Sequence, residues 1–154
     1  MFYLILFFLG CAAGLKVDSG QSTEPVEECA TIAGRQICDF YAIDKTGNEV
    51  QLSELYGQPV VLDLSAGWCG PCIVAASEMQ SKAEMMADVT FLTVLIEDEQ
   101  GAAPDAQYIM DWQHTYGIED APIWASNRDL LTSNPIELKD HLYLAGWPTF
   151  YFID

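Results

Sequence analysis

Two cysteines separated by two residues come directly after a buried apolar run, and this junction constrains the fold more than any other feature. Residues 59–64 are almost continuously apolar apart from Asp63, a pattern typical of a strand covered on both faces. Residues 69–86 carry apolar side chains at three- and four-residue spacing, which predicts a helix. The sequence Trp68-Cys69-Gly70-Pro71-Cys72 therefore lies where a strand gives way to a helix.

The rest of the chain alternates between strand and helix patterns. The predicted elements are a β-hairpin at 39–52, a helical turn at 53–57, a strand at 89–96, a helix at 104–116, and strands at 121–125 and 149–153. This order predicts an α/β fold with parallel central strands and right-handed crossovers. It places Cys69 at the carboxyl edge of the sheet, where open α/β sheets carry their functional groups.

The spacing of the cysteine pair suits thiol–disulfide exchange, which needs one thiolate to attack and a second thiol to resolve the mixed disulfide. At the start of a helix, unpaired N–H groups and the positive end of the helix dipole favour a thiolate at Cys69. Cys72 lies one turn further on and is expected to be shielded. Pro71 fits an early helix position because its missing donor would be unpaired there, and Gly70 leaves the approach to Cys69 open.

The remaining cysteines leave alternatives open. The chain has five cysteines, an odd count. In an exported protein, whose cysteines are usually paired, this leaves one thiol to explain. Cys29 and Cys38 are predicted to form a structural disulfide, with a second redox pair as the alternative. A four-thiolate zinc site is disfavoured because the spacing from Cys29 to Cys38 is wider than the two to four residues typical of zinc ligands. Neither His114 nor His141 has a metal-like spacing from a cysteine, so no metal and no cofactor is predicted.

The N-terminus has the pattern of an export signal. Residues 2–9 form an unbroken apolar run, much shorter than the about 20 residues that span a bilayer. The run ends in Phe8-Leu9-Gly10-Cys11-Ala12, which resembles a bacterial lipoprotein cleavage box and predicts lipidation of Cys11; an ordinary signal peptide is the alternative. We therefore expect a signal region at 1–15, a flexible tether with an N-terminal extension at 16–37, and a location outside the cytoplasm.

The charge balance excludes one class of partner. The chain has 23 acidic and 6 basic residues, a net charge of −17. Binding to nucleic acid needs clustered Lys and Arg that displace the counterions of phosphates. No nucleic-acid partner is therefore predicted, and the acidic surface favours solubility.

The active-site region supports a family resemblance. Trp68-Cys69-Gly70-Pro71-Cys72, preceded by Val60-Val61-Leu62-Asp63-Leu64, resembles the active-site region of thioredoxins. Residues 38–154 as a whole are similar to the membrane-anchored TlpA-like or ResA-like thiol–disulfide oxidoreductases. The resemblance implies a thioredoxin-like fold, with a central mixed sheet flanked by helices and an N-terminal β-hairpin extension. It also implies Cys69 as nucleophile, Cys72 as resolving thiol, and Asp63 as a buried acid that assists proton transfer at Cys72.

The resemblance also assigns a substrate-binding segment and partners. In the family a cis-proline faces the cysteines, and the residue before it pairs its backbone with the substrate chain. The implied substrate-binding residues are Trp68, Gly70, Pro71, Trp147, Pro148 (cis) and Thr149. The implied partners are disulfide-bearing or dithiol proteins, a membrane electron donor, and the membrane itself through a lipid anchor. The implied location is the bacterial periplasm or cell envelope.

The chain departs from the family pattern at three places. Ser77 stands where a proline usually kinks the active-site helix, and Ala75 where TlpA-like proteins often have Glu. The chain stops at Asp154, although the family adds a further strand and helix, so we expect a domain that is incomplete at its C-terminus.

Two alternative functions remain beside an extracytoplasmic thiol–disulfide oxidoreductase. The first is a non-catalytic module that keeps the fold and binds a peptide. The second is a peroxiredoxin-like antioxidant enzyme. Peroxiredoxins need Pro and Thr just before a single reactive cysteine, whereas Ser65-Ala66-Gly67-Trp68 precede Cys69 here.

Overall fold

The structure is a computed structural model that describes residues 29, 34, 36–133 and 141–154. The predicted signal region 1–15, with the lipidation candidate Cys11, lies outside the described residues, as does most of the predicted tether 16–37. Within the described ranges, no helix is long and apolar enough to cross a membrane.

The described residues form eight strands and two α-helices. The strands are β1 (Tyr41–Ile43), β2 (Glu49–Gln51), β3 (Val60–Ala66), β4 (Thr90–Glu97), β5 (Ile123–Ala125), β6 (Leu131–Thr132), β7 (Leu142–Tyr143) and β8 (Thr149–Ile153). The helices are α1 (Gly70–Met85) and α2 (Ala106–Tyr116), with short 3-10 helices at Leu52–Leu55 and Arg128–Leu130.

Six strands form one mixed sheet in the order β2-β1-β5-β4-β3-β8. The neighbours β3, β4 and β5 run parallel, which confirms the arrangement predicted for the central strands. Strand β8 runs antiparallel to β3, and β1 runs antiparallel to β5. The predicted hairpin β1–β2 therefore forms one edge of this sheet, next to β5.

Both faces of the central strands are covered, as their apolar runs predicted. Along β3, Leu62 and Leu64 point into one core, together with alternate residues of β4. Val61 belongs to the opposite core, to which α1 and α2 contribute Met79 and Ile109. Side chains alternate along a strand, so Asp63 lies on the same face as Val61. The only carboxylate of β3 is thus directed toward the layer that contains α1.

Helix α2 begins later than the sequence pattern indicated. The Asp105 carboxylate accepts a hydrogen bond from the backbone N–H of Tyr108 at 2.8 Å and caps the helix. Pro104 therefore lies outside the helix, and the start predicted at residue 104 was two residues early. Asp is a strong N-cap residue, which explains the choice of this position. The other end agrees with the prediction: Gly117 takes the left-handed conformation at φ 62°.

Two features of the fold were not predicted from the sequence. Strands β6 and β7 pair in parallel as a separate two-stranded sheet, and two-residue strands are too short to produce a pattern. Met86, expected in the apolar stripe of the first helix, instead ends that helix and is exposed.

The apolar face of the edge strand β8 is open. Strand β8 is an edge strand, and Phe150 and Phe152 on its α1 side are 42% and 82% exposed. With Val61 and Met79 they line a groove of about 810 Å³ between β8 and α1.

Candidate active site

Cys69 and Cys72 are joined in a disulfide at the start of α1, with their Cα atoms 5.2 Å apart. Cys69 is the N-cap of the helix, and its Sγ accepts a hydrogen bond from the Cys72 N–H at 3.1 Å. Pro71 occupies the first turn, where its missing donor costs nothing. The pair thus sits where free backbone N–H groups favour negative charge on Cys69 once the disulfide is reduced.

A tight turn carries the chain from β3 into α1. The register between β3 and β4 shifts at Ser65/Ala66, so Ala66 lies opposite Glu97. The Gly67 N–H then donates to the carbonyl of Glu97 at 2.8 Å, and the Cys69 N–H donates to the carbonyl of Ala66 at 3.1 Å. These two hydrogen bonds fix the direction in which Cys69 leaves the sheet.

Gly67 is required at this turn because no side chain fits there. A Cβ at Gly67 would lie 2.0 Å from Tyr108 Oη and 2.9 Å from the backbone nitrogen of Glu99.

We expect Gly67→Ala to lower the free energy of unfolding by about 1–3 kcal/mol, the usual cost of overpacking, measured by urea titration. Gly70→Ala is the matched control, because nothing lies within 4 Å of a Cβ at Gly70. Equal stability of the two variants would contradict the prediction.

Asp63 is fully buried on β3, and among the described residues only one of its two carboxylate oxygens accepts a hydrogen bond. Its Oδ2 accepts a hydrogen bond from the Ser65 hydroxyl at 2.8 Å, whereas Oδ1 has no hydrogen-bond partner among the described residues. Thr93, its register partner on β4, is also buried. Burial raises the pKa of Asp63 from 3.8 to about 6, while the Ser65 hydrogen bond and the charge of Lys82 act in the lowering direction. A carboxyl with this pKa can accept or release a proton close to neutral pH.

The segment before β8 contains a cis-proline, and its tryptophan packs against the cysteines. The Trp147–Pro148 peptide bond is cis. The Thr149 hydroxyl donates to the carbonyl of Gly146 at 2.6 Å and holds this turn closed. Trp147 packs against the cluster of buried residues that contains Cys69 and Cys72.

A second tryptophan completes one side of the site. The ring of Trp68 meets that of Trp147 edge-on, with centroids 5.7 Å apart and planes at 73°. Trp68 remains 46% exposed, and Gly70 and Pro71 beside it are also exposed. The sequence-predicted residues Trp68, Cys69 and Cys72 are therefore brought together with Trp147.

Two further residues, Glu97 and Arg128, extend this site and were not predicted from the sequence. The Glu97 carboxylate, at the end of β4, accepts a hydrogen bond from Trp68 Nε1 at 2.7 Å. It also accepts two from Arg128, through Nε and through Nη2, the latter at 3.0 Å. The Arg128 hydrogen bond holds the pKa of Glu97 below its usual value. The only sequence feature that marks Glu97 is its place at the end of a buried apolar run. Its partners Trp68 and Arg128 lie far from it in the sequence.

Cys29 and Cys38 form the other disulfide, with Cα atoms 4.7 Å apart. All four cysteines of the discarded zinc alternative are therefore paired as disulfides in this structure. Within the described ranges, no three side chains of the metal-ligating types come together.

One family model matches most of this chain. The model described as the AhpC/TSA family matches residues 33–154, most of the chain. The chain belongs to the AhpC/TSA family. The matched range includes the cysteine pair, Asp63 and the cis-proline segment, so the geometry described above lies within the family region of this AhpC/TSA protein.

Similar proteins agree on the architecture. A thioredoxin from Ophiophagus hannah is 35% identical over 60 residues, which cover 39% of this chain and 57% of that protein. The chain thus spans little more than half of this relative. Two solved structures show the fold. An exposed lipoprotein thioredoxin from Streptococcus pneumoniae is 24% identical with a TM-score of 0.55, and the match covers 76% of this chain and 82% of that one. A secreted thiol-disulfide isomerase from Corynebacterium glutamicum is 18% identical with a TM-score of 0.58, and the match covers 78% of this chain and 70% of that one. The AhpC/TSA chain has the thioredoxin-like α/β fold that its sequence implied.

Proposed function

We propose that this protein is a thiol–disulfide oxidoreductase that reduces or exchanges disulfides in exported proteins. The observation that carries the proposal is the Cys69–Cys72 disulfide at the start of α1, against which Trp147 packs. The Trp147–Pro148 bond is cis, and Asp63 on the preceding strand is a buried carboxyl of raised pKa. Nucleophile, resolving thiol and proton acceptor are the three groups that disulfide exchange requires. The thioredoxin relatives support this assignment.

In the proposed reaction the reduced Cys69 thiolate attacks one sulfur of a substrate disulfide. A mixed disulfide forms, and the other substrate sulfur leaves as a thiolate. Cys72 then transfers its proton to Asp63 and attacks Cys69 Sγ, which forms the Cys69–Cys72 disulfide and releases the second substrate thiolate. Two electrons pass to the substrate, and an external dithiol donor must return two electrons to the pair.

The location and the donor belong to the same proposal. We place the protein outside the cytoplasm, attached through a lipid on Cys11, with a membrane protein as electron donor. The export pattern of residues 1–15 supports this, as do the names of two structural neighbours, one an exposed lipoprotein and one secreted. Cys29–Cys38 is proposed as a structural disulfide.

The proposal is tested by trapping a substrate. Reduced Cys72→Ser protein, mixed with oxidised insulin, is expected to accumulate a mixed disulfide on Cys69, because the resolving thiol is absent. Mass spectrometry without reductant detects the adduct. Wild-type protein is the control and is expected to reduce insulin with dithiothreitol as donor, without lasting adduct. No adduct and no catalysed reduction would contradict the proposal and favour a peptide-binding module.

The family assignment favours one second candidate, a peroxiredoxin-like peroxidase. The same wild-type protein, given hydrogen peroxide and dithiothreitol, distinguishes the two. Under the oxidoreductase proposal, peroxide consumption stays at the background rate while insulin is reduced.

A further inference from the structure

Glu97 is an acid in a buried position that has no role in the proposed chemistry. Its side chain is only 7% exposed, at the end of β4. A carboxylate buried to this degree must be paired and hydrogen-bonded to be tolerated. Arg128 supplies the pairing from the 3-10 helix that follows β5, through two of its guanidinium nitrogens. Two contacts to one planar group fix the position of the carboxylate as well as its charge.

The fixed carboxylate in turn holds Trp68. Glu97 Oε2 accepts the indole N–H of Trp68 at 2.7 Å, a charge-assisted hydrogen bond. Trp68 is the residue directly before Cys69, and almost half of its surface is exposed. Its orientation therefore does not follow from burial in the core. The contact to Glu97 fixes the Nε1 edge of the ring.

Trp68 and Trp147 together form what we call the tryptophan wall. The two rings meet edge-on at 5.7 Å, and Trp147 packs against the cysteine cluster. Arg128, Glu97, Trp68, Trp147 and the cysteines are thus connected by an unbroken series of contacts. The Arg128 end of the series is exposed, with a side chain 60% accessible.

We propose that Glu97, held by Arg128, is a positioning residue that orients the tryptophan wall to receive the polypeptide around a substrate disulfide. The inference rests on the proposed function. A free Trp68 ring would have to be ordered each time a protein substrate bound, and ordering a side chain at an interface weakens binding. A ring held in advance avoids this loss. A small disulfide has no polypeptide to place on the wall, so its reaction gains nothing from Glu97.

The test compares two substrates of different size. Reduction of oxidised insulin and of the small disulfide 5,5′-dithiobis(2-nitrobenzoic acid) is measured for wild type and Glu97→Met. We expect KM for insulin to rise about tenfold, equivalent to about 1.4 kcal/mol, with kcat within about twofold. The rate with the small disulfide stays within about twofold. Glu97→Gln keeps an acceptor for Trp68 and is expected to restore most of the insulin KM.

Glu78→Gln is the matched control, since it removes the acid of the exposed Glu78–Lys82 pair on α1 and changes the charge equally. Its kinetics should equal those of wild type. Trp68→Phe keeps an aromatic ring without the indole N–H, so its insulin KM repeats that measurement if Glu97→Met does not fold. The inference is overturned if both variants leave the insulin KM unchanged, or if both substrates lose rate equally. If wild type itself fails to reduce insulin, the proposed function fails first and the inference with it.

Discussion

Replacement of Cys69 by serine is expected to lower the rate of insulin reduction by a factor on the order of 10³ or more, because the attacking sulfur is lost. A serine hydroxyl at the same helix N-cap is not ionised near neutral pH and cannot form the mixed disulfide. The fold should tolerate the change well, since serine is among the best N-cap residues and can accept the Cys72 N–H as the sulfur does. The measurement is turnover with dithiothreitol as donor, together with the melting temperature of the reduced proteins.

Cys72→Ser is the matched variant, because it removes a sulfur from the same pair and leaves the attacking group in place. We expect it to react once with insulin and then stop, whereas Cys69→Ser does not react at all. Equal single-turnover rates for the two variants would show that Cys69 is not the nucleophile. Unchanged steady-state turnover in Cys69→Ser would contradict the oxidoreductase proposal itself.

The second large effect concerns stability and pH at Asp63. Its pKa in the folded protein is about 6, against 3.8 for the ordinary group, because burial disfavours the charge. The folded state therefore holds its proton more tightly than the unfolded state. Stability falls as the pH rises from about 4 to about 6, and above that range the charged carboxyl costs about 3 kcal/mol.

Asp63→Asn removes this cost. We expect the variant to be more stable than wild type by about 3 kcal/mol at pH 8, which corresponds to about 6–12 °C in Tm for a chain of this size. At pH 4 the two proteins should melt at nearly the same temperature. Asp111→Asn, the same substitution at an exposed site on α2, is the control and should follow wild type at both pH values. A stability difference that does not change with pH would contradict the assigned cause.

The same variant tests the role proposed for Asp63. A base that takes the proton of Cys72 must be ionised, so wild-type turnover should decline as the pH falls through about 6. Asp63→Asn should turn over more slowly at pH 8 and lack that decline. A variant that is more stable but less active would fit a residue retained for chemistry at the expense of stability.

Local sequence patterns were enough to predict the region around the cysteines. The run at residues 59–64 and the helix after Cys69 are close neighbours in sequence, so their junction follows from strand and helix periodicity alone. The parallel order of β3, β4 and β5 also follows, since strand–helix–strand connections are almost always of one hand. The place of the cis-proline segment came only from the resemblance, because an X-Pro bond is usually trans.

The contacts of Glu97 with Trp68 and Arg128 could not be predicted from the sequence. Trp68 and Arg128 are 29 and 31 residues from Glu97, and their meeting depends on the register shift between β3 and β4 and on the path after β5. Neither follows from a periodic pattern.

The hydrogen bond from the Cys72 amide to Cys69 Sγ gives the protein a built-in spectroscopic reporter. The acceptor is a neutral disulfide sulfur in the oxidised protein and becomes a thiolate on reduction. A backbone amide that faces a new negative charge changes its proton and nitrogen resonance frequencies. The position of the Cys72 amide cross-peak in an NMR spectrum therefore reports the redox state of the pair, without a dye or an alkylating label.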